Sequence, residues 1–331
     1  MTAQCSLKRT RNPSPVSSTK RCRLENEAEA PETVKFLILS DTHDAAITLP
    51  PSDVLLHCGD LTEDGSPTSL KAALAHLSKA KAELKLFIAG NHEISFDKNY
   101  YLSEGGSLST HEESLTIISD YEASTPGLHF LKEGTHTFTL KSGATFTIYA
   151  SPYTPRYGSS AFQYPSGKDR FNYEESTPKW AKNVGTEKSR IPTTGIDIVM
   201  THGPAQYILD KTADNRSAGC EHLSRAIARS KPLLHCFGHV HRGYGAQRIE
   251  YDDDSASGTG DDGIKPLPQE FVGKNQARRK GFSSLSPGAK ESFLGQRERR
   301  QTLMVNAAVM DSENEPGNMP WLVELDLAKK V

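Results

Sequence analysis

The sequence predicts an α/β fold, on three observations. Short apolar runs stop abruptly at polar motifs, helix-patterned stretches separate some of these runs, and each polar motif falls just after a run. Runs of this length bounded by turn residues suit strands buried on both faces. Alternation of strand with helix implies ligand sites beyond the strands' carboxyl ends.

Taken in order, residues 34–39 lead to Ser40-Asp41-Thr42-His43, 54–56 to Gly59-Asp60, and 84–89 to Gly90-Asn91-His92-Glu93. Residues 196–200 then lead to Thr201-His202-Gly203-Pro204, and 233–237 to Gly238-His239-Val240-His241. Between the second and third runs a helix is expected. Ser66 can cap it, Pro67 fits its first turn, and Leu70, Ala73, Leu74 and Leu77 share a face. A second helix is expected from about 219 to 230, with Leu223, Ala226 and Ile227 as its apolar stripe. Residues 135–149 read as a hairpin turning at Lys141-Ser142-Gly143. Residues 247–251, 302–306 and 322–327 read as strands of a second sheet closing the core.

Two stretches lack such patterning. Residues 1–31 are polar and rich in Ser, Pro and Arg, with Lys8, Arg9, Arg11, Lys20, Arg21 and Arg23 preceding any acid. Such a segment cannot bury enough apolar surface to fold alone, and a plain disordered tail is favoured over a nuclear import signal. Residues 252–300 begin acidic, with Asp252, Asp253 and Asp254, and end basic, with Arg297, Arg299 and Arg300. They are expected to be a disordered surface insertion in one domain running from 33 to 331. The low hydrophobic share of 36% and mean hydropathy of −0.55 are accounted for by these two stretches.

The formal net charge is −2, so no global basic excess points to nucleic acid or to an anionic membrane. No segment approaches the ~20 apolar residues needed to span a bilayer. Cys5, Cys22, Cys58, Cys220 and Cys236 form no CxxC pair, and an odd count without a secretory leader argues for free thiols. The expected compartment is the cytoplasm, the nucleus, or both.

The polar motifs carry the chemistry. Asp41 and His43 are two apart, so on an extended segment both would point the same way, and His239 and His241 share that spacing. Asp60, Asn91 and His202 each close another run. Seven candidate ligands (Asp41, His43, Asp60, Asn91, His202, His239 and His241) are too many for one catalytic ion that keeps a position open. They suit two divalent ions roughly 3.5–4 Å apart, bridged by one carboxylate. Nitrogen and oxygen donors without thiolate point to Mn, Fe or Zn. The residual positive field suits a phosphate ester, attacked by a hydroxide held between the ions.

The ordered set from Asp41-Thr42-His43 to Gly238-His239-Val240-His241 resembles the calcineurin-like metallophosphoesterases. The resemblance implies a four-layer α/β/β/α sandwich, two mixed sheets flanked by helices. It implies Asp41, His43, Asp60 and His241 around one metal and Asp60, Asn91, His202 and His239 around the other. It places His92 near the leaving group as proton donor. Gly90-Asn91-His92-Glu93-Ile94-Ser95-Phe96-Asp97, Ser151-Pro152-Tyr153-Thr154-Pro155 and Phe237-Gly238-His239-Val240-His241-Arg242-Gly243-Tyr244-Gly245 are similar to the metallophosphoesterase-domain-containing group. Some of its members lose the histidine corresponding to His239, so a fuller dinuclear centre is expected here.

The expected function is therefore a dinuclear phosphodiesterase or phosphatase acting on a small phosphoester, of which a nucleotide is one candidate. A protein phosphatase fits less well, because Asp60 is followed by Leu61-Thr62-Glu63 and not by a basic Asp-Arg-Gly. A repair nuclease would present a larger basic surface. The competing class is a catalytically silent scaffold, against which stands the completeness of the ligand set. His57, His76, His111, His129, His136, His222 and His235 have no ligand-like context and read as surface or packing residues. Tyr153, Tyr157, Phe162 and Tyr164 read as loop packing ahead of a base-stacking wall, with Arg156 and Arg170 as candidate phosphate contacts. The roles of Asp44, Glu93 and Asp97 stay open between support of the site and plain structure.

Overall fold

A computed structural model describes residues 30–251, 263–294 and 300–329. The chain begins with strand β1 (Glu32–Leu39), β2 (Val54–His57), helix α1 (Pro67–Leu77) and β3 (Leu84–Phe87). Helices α2 (Lys98–Ser103) and α3 (Leu108–Ser124) precede β4 (Leu128–Phe130) and the hairpin β5 (Gly134–Thr139) and β6 (Thr145–Ser151). After a long irregular segment come β7 (Ile198–Thr201), α4 (Glu221–Ser230), β8 (Leu234–Phe237) and β9 (Gly245–Tyr251). Strand β10 (Ile264–Gln269), α5 (Lys274–Lys280), α6 (Pro287–Phe293), β11 (Gln301–Asn306) and β12 (Trp321–Leu327) complete the series.

The larger strands form two sheets. The first has the order β12-β1-β2-β3-β4, and the second β10-β9-β11-β8-β7-β6-β5. In the first, β1 to β4 run parallel and β12 lies antiparallel on β1. In the second, β6, β7, β8 and β11 run parallel, flanked by antiparallel β5 and β9. The pleat sorts side chains by parity. Phe36, Ile38, Val54, Leu56 and Leu86 of the first sheet pack against Phe146, Ile148, Ile198, Met200, Leu234 and Val305 of the second. The rings of Phe36 and Phe146 meet edge to face across this core, 5.5 Å apart. The opposite parity faces outward: Leu37, Leu39, Leu55 and Phe87 lie under Leu70, Leu74 and Leu77 of α1 and Ile117 and Ile118 of α3. Tyr149, Val199, Phe237 and Met304 lie under Leu223, Ala226 and Ile227 of α4. The result is a four-layer α/β/β/α sandwich.

Local chemistry explains the element ends. The Ser66 hydroxyl accepts from the Ser69 amide and Pro67 opens α1. The thiol of Cys220 caps α4, and Lys231 ends it in a left-handed conformation. Gly143, at φ 90°, turns the hairpin between β5 and β6.

Two expectations require correction, and one helix carries no sequence signal. Residues 322–327 do not join the second sheet; β12 pairs with β1, with Val323 opposite Phe36 and Trp321 opposite Ile38. Its alternating Trp321, Val323, Leu325 and Leu327 all enter the inter-sheet core, a demand that an edge position on either sheet would satisfy and that sequence could not apportion. Within 252–300, the described residues carry β10, α5 and α6. Pro266 and Pro268 disguise β10, which tolerates them as an edge strand, and the helices are too short for a periodic stripe, anchored by Ala277, Ala289 and Phe293. Helix α3 was not anticipated because its inner face mixes His111 and Ser114 with Ile117 and Ile118. The predicted tail, up to residue 29, and residues 252–262 and 295–299 of the predicted insertion lie outside the described residues.

Because the inter-sheet core carries the sandwich, Phe36→Ala should lower unfolding free energy by about 3–5 kcal/mol. Urea denaturation followed by far-ultraviolet circular dichroism measures this, and a loss under about 1 kcal/mol would contradict the packing described.

Candidate metal centre

The carboxyl ends of β1, β2, β3, β7 and β8 converge at one edge of the sandwich, and each delivers its motif one to five residues past the strand. The backbone there is far from extended. Asp41, His43, Asp60 and His239 have φ of 53°, 42°, 52° and 65°, the left-handed region that residues with a Cβ seldom occupy. The two-apart geometry read from the sequence is thus wrong in mechanism: sharp turns, not strand alternation, aim Asp41 with His43 and His239 with His241.

Main-chain bonds hold these turns. The amides of Asp41 and Thr42 donate to the carbonyls of Gly59 and Asp60, at 3.0 and 2.9 Å, and the amide of His43 also donates to Asp60. The amide of His239 donates to both Asp41 carboxylate oxygens, at 3.0 and 2.9 Å, joining the two sheets' loops. The amide of His92 donates to Asp60 Oδ1 at 2.9 Å. Two glycines permit the approach. A Cβ at Gly238 would strike Asp41 and Ser40, and one at Gly90 would strike Asp60.

Glu93 is buried behind this edge and accepts from the amides of Gly90, Asp60 and Thr62 at 2.6, 3.0 and 2.9 Å, and from the Thr62 hydroxyl at 2.9 Å. It therefore holds the turn carrying Asp60 against the turn carrying Asn91. Burial, with the Asp60 charge nearby, pushes its carboxyl up to about 7.

Three overlapping groups of ligand atoms result, each spanning no more than 4.8 Å: Asp41, His43 and His241; His43, Asp60 and His92; and Asp60, His202 and His239. Asn91 adjoins the last, its Oδ1 lying 2.9 Å from His202 Nε2. The rings are oriented from behind. His202 Nδ1 donates to the Cys58 carbonyl at 2.9 Å, which turns Nε2 toward Asp60 at 3.2 Å. His92 Nδ1 donates to the Glu63 carbonyl at 2.6 Å. His241 Nε2 lies 3.3 Å from Asp41, and its Nδ1 meets Asn314 Oδ1 at 3.1 Å. Asn314 was missed in the sequence, where a lone amide in a polar loop carries no signal.

The donor set fits divalent cations: imidazole nitrogens, carboxylates and an amide oxygen, without thiolate. The buried Nε2 of His43 has no hydrogen-bond partner and lies 3.8 Å from Asp60 Oδ2, as a nitrogen kept for a cation would. Charge is also arranged for one. Burial alone would raise Asp60, but the charge and hydrogen bond of His202 hold it well below the usual carboxylate range. Burial would depress His202, yet the Asp60 carboxylate carries it to about 9. Burial and the His202 charge take His239 down to about 4, leaving it a neutral donor.

Beside His239 and His241 opens a cleft of about 830 Å³, walled by Arg156, Tyr157, Lys168, Arg242 and the 204–220 loop. Tyr157 is 83% exposed, whereas Tyr164 and Phe162 are buried. Tyr164 donates to Cys220 Sγ, and Tyr153 packs on Phe162. Arg170 pairs with Glu133 at 2.6 Å and stacks on Tyr153, so it belongs to the packing and is spent there. Asp44 accepts from Glu63 and Ser69, and Asp97 caps α2 and accepts from the Phe162 amide. His57 and His235 are buried against the hydroxyls of Thr42 and Thr201.

Residues 34–243 match the profile of the calcineurin-like phosphoesterases, and the chain belongs to that family. A probable rhamnogalacturonate lyase C of Emericella nidulans is 34% identical over 221 residues, 66% of this chain and 18% of that protein. Metallophosphoesterase domain-containing protein 1 of Homo sapiens is 30% identical over 231 residues, 65% of this chain and 63% of that protein. The chain thus spans less than two thirds of the length of either relative. Among solved structures, purple acid phosphatase PPD1 from yellow lupin (Lupinus luteus) seeds aligns at a TM-score of 0.37 and 12% identity. That alignment covers 88% of this chain and 47% of the phosphatase, a likeness too slight to carry an argument.

Two outcomes are expected. His202 keeps its proton at pH 7.5 and loses it only as pH rises through about 9, so a cation taking Nε2 must displace it. Calorimetry of Mn binding in buffers of different ionisation enthalpy should show release of about one proton or more, and less in His202→Gln. Glu93→Ala should weaken metal binding about 10–100-fold, read as metal retained through gel filtration.

Proposed function

We propose that this protein is a metal-dependent phosphoester hydrolase, a phosphodiesterase or phosphatase acting on a small phosphoester. The observation that carries the reading is the sharing of Asp60 between two groups of ligand atoms, with His43 shared in turn with Asp41 and His241. Asp41, His43, Asp60 and His241 would hold one divalent ion, and Asp60, Asn91, His202 and His239 the other, with Mn, Fe or Zn as the candidates. Such a pair supplies Lewis acidity toward the phosphoryl oxygens and a hydroxide nucleophile at neutral pH.

The protein's own residues do the rest. His92 is fixed through Nδ1 to the Glu63 carbonyl, so Nε2 is the atom left to hand a proton to the departing alkoxide. Burial opposes its protonation, but the Asp60 carboxylate and the Glu63 carbonyl bond prevail and raise it, which suits a proton donor near neutral pH. The cleft admits the alcohol portion of the ester, and Arg156, Lys168 and Arg242 make it receptive to anions. A nucleotide is one candidate, with exposed Tyr157 as a stacking face. The free thiols of Cys58, Cys220 and Cys236 support placement in the cytoplasm or nucleus. Among the described residues no helix is long and apolar enough to cross a membrane.

The test is hydrolysis of bis(p-nitrophenyl) phosphate and p-nitrophenyl phosphate by the Mn-loaded protein. Asp60→Asn should abolish chelator-sensitive turnover; retained turnover would remove the shared carboxylate from the mechanism. His92→Asn should cut kcat about 10²–10⁴-fold with metal content unchanged.

A further inference from the structure

Nothing in its sequence context marks His222, at the start of α4, yet its surroundings are unusual. The side chain is 2% exposed, and neither ring nitrogen has a hydrogen-bond partner. Behind it stands Asp169, fully buried, with Oδ2 3.6 Å from His222 Nδ1. That carboxylate is fixed by the amides of Phe171 and Asn172, the Asn172 side chain and the Thr177 hydroxyl, at 3.0 to 3.2 Å. The Asn172 amide group also donates to the His222 carbonyl at 2.8 Å, so acid and imidazole are anchored to one another. Trp180 lies over the ring at 5.4 Å, and Arg225 lies over Trp180 at 5.1 Å. Buried His57 and His235 each keep one ring nitrogen bonded to a threonine hydroxyl, whereas both nitrogens of His222 are without a partner.

His222 lines the same cavity as His239 and His241, together with Arg156 and Lys168. Neither of those cations makes an ion pair among the described residues. The two acids on the same walls are already engaged: Glu221 with Arg225 at 2.7 Å, and Asp311 with the amides of Glu313 and Glu315. The cleft therefore offers net positive charge to whatever enters it. An imidazole with a carboxylate 3.6 Å from Nδ1 can bridge it to an anion at Nε2.

We propose that His222, backed by Asp169, is a substrate-recognition residue that binds a second acidic group on the phosphoester. The substrate class is thereby narrowed to phosphoesters whose alcohol portion carries a carboxylate or a further phosphate. This rests on the hydrolase reading above, with the phosphoryl group at the metal cluster. His222 is a specificity residue and takes no part in bond breaking.

The experiment uses the full-length Mn-loaded protein and non-hydrolysable probes, a series of ω-carboxyalkylphosphonates of increasing length, each paired with the alkylphosphonate lacking the carboxylate. Competition against bis(p-nitrophenyl) phosphate gives their inhibition constants, and calorimetry gives direct binding. At one chain length the carboxylate should tighten binding about tenfold or more, and His222→Gln should erase that gain while leaving the alkylphosphonate and kcat for the diester unchanged. Lys168→Ala, on the cleft wall, should reduce the same gain. No gain from the carboxylate at any length in the unmutated protein overturns the proposal, and so does equal weakening of both probes by His222→Gln. Absence of diester hydrolysis and of phosphonate binding would instead sink the hydrolase reading, a result separable from the first two.

Discussion

The arrangement of this protein's working edge depends on one buried carboxylate. Glu93 collects amides from the turns after β2 and β3, and so ties Gly90, Asp60 and Thr62 to a single side chain. An unpaired carboxylate at that depth would be severely penalised, and four donors answer the cost. The consequence is positional. Asp60 must face two groups of ligands at once, and its tolerance for error is set by how rigidly its turn is tied to that of Asn91.

The left-handed residues express the same demand in the backbone. Asp41, His43, Asp60 and His239 each accept a conformation that costs of order 1–3 kcal/mol. Local sequence gives no return on that cost, since none of the four is glycine. It is met by the strands, which are parallel, central and buried on both faces, and by cross-loop bonds such as the His239 amide to Asp41. Stability stored in the two sheets is in this sense transferred to an edge that would otherwise relax.

Much of this was legible in the sequence. Apolar runs such as residues 54–56 and 233–237 carry their own signature, because a strand covered on both faces has no polar positions, and the motifs that end them are short and ordered. The assembly of Asp41, His43, Asp60, Asn91, His202, His239 and His241 at one edge follows from that pattern. Other features left no trace for physical reasons. Asn314 orients His241 from a loop whose composition resembles any exposed loop. Helix α3 hides its inner face by burying His111 and Ser114. The side of the core on which β12 would lie depends on pairing energies that alternation alone does not reveal. His222 looked like a packing residue because its distinction lies in what surrounds it, and Asp169 and Trp180 are far from it in sequence.

One consequence follows from the placement of the ligands on the two sheets. Asp41, His43, Asp60 and Asn91 come from the first, and His202, His239 and His241 from the second, so a cation cluster there would clasp the sandwich at its rim. The centre then acts as a vernier between the layers. A small slip of one sheet past the other, harmless to an apolar interface that can repack, would pull the donors out of range. Metal affinity and inter-sheet packing thus become two readings of one equilibrium, and each must change when the other is perturbed.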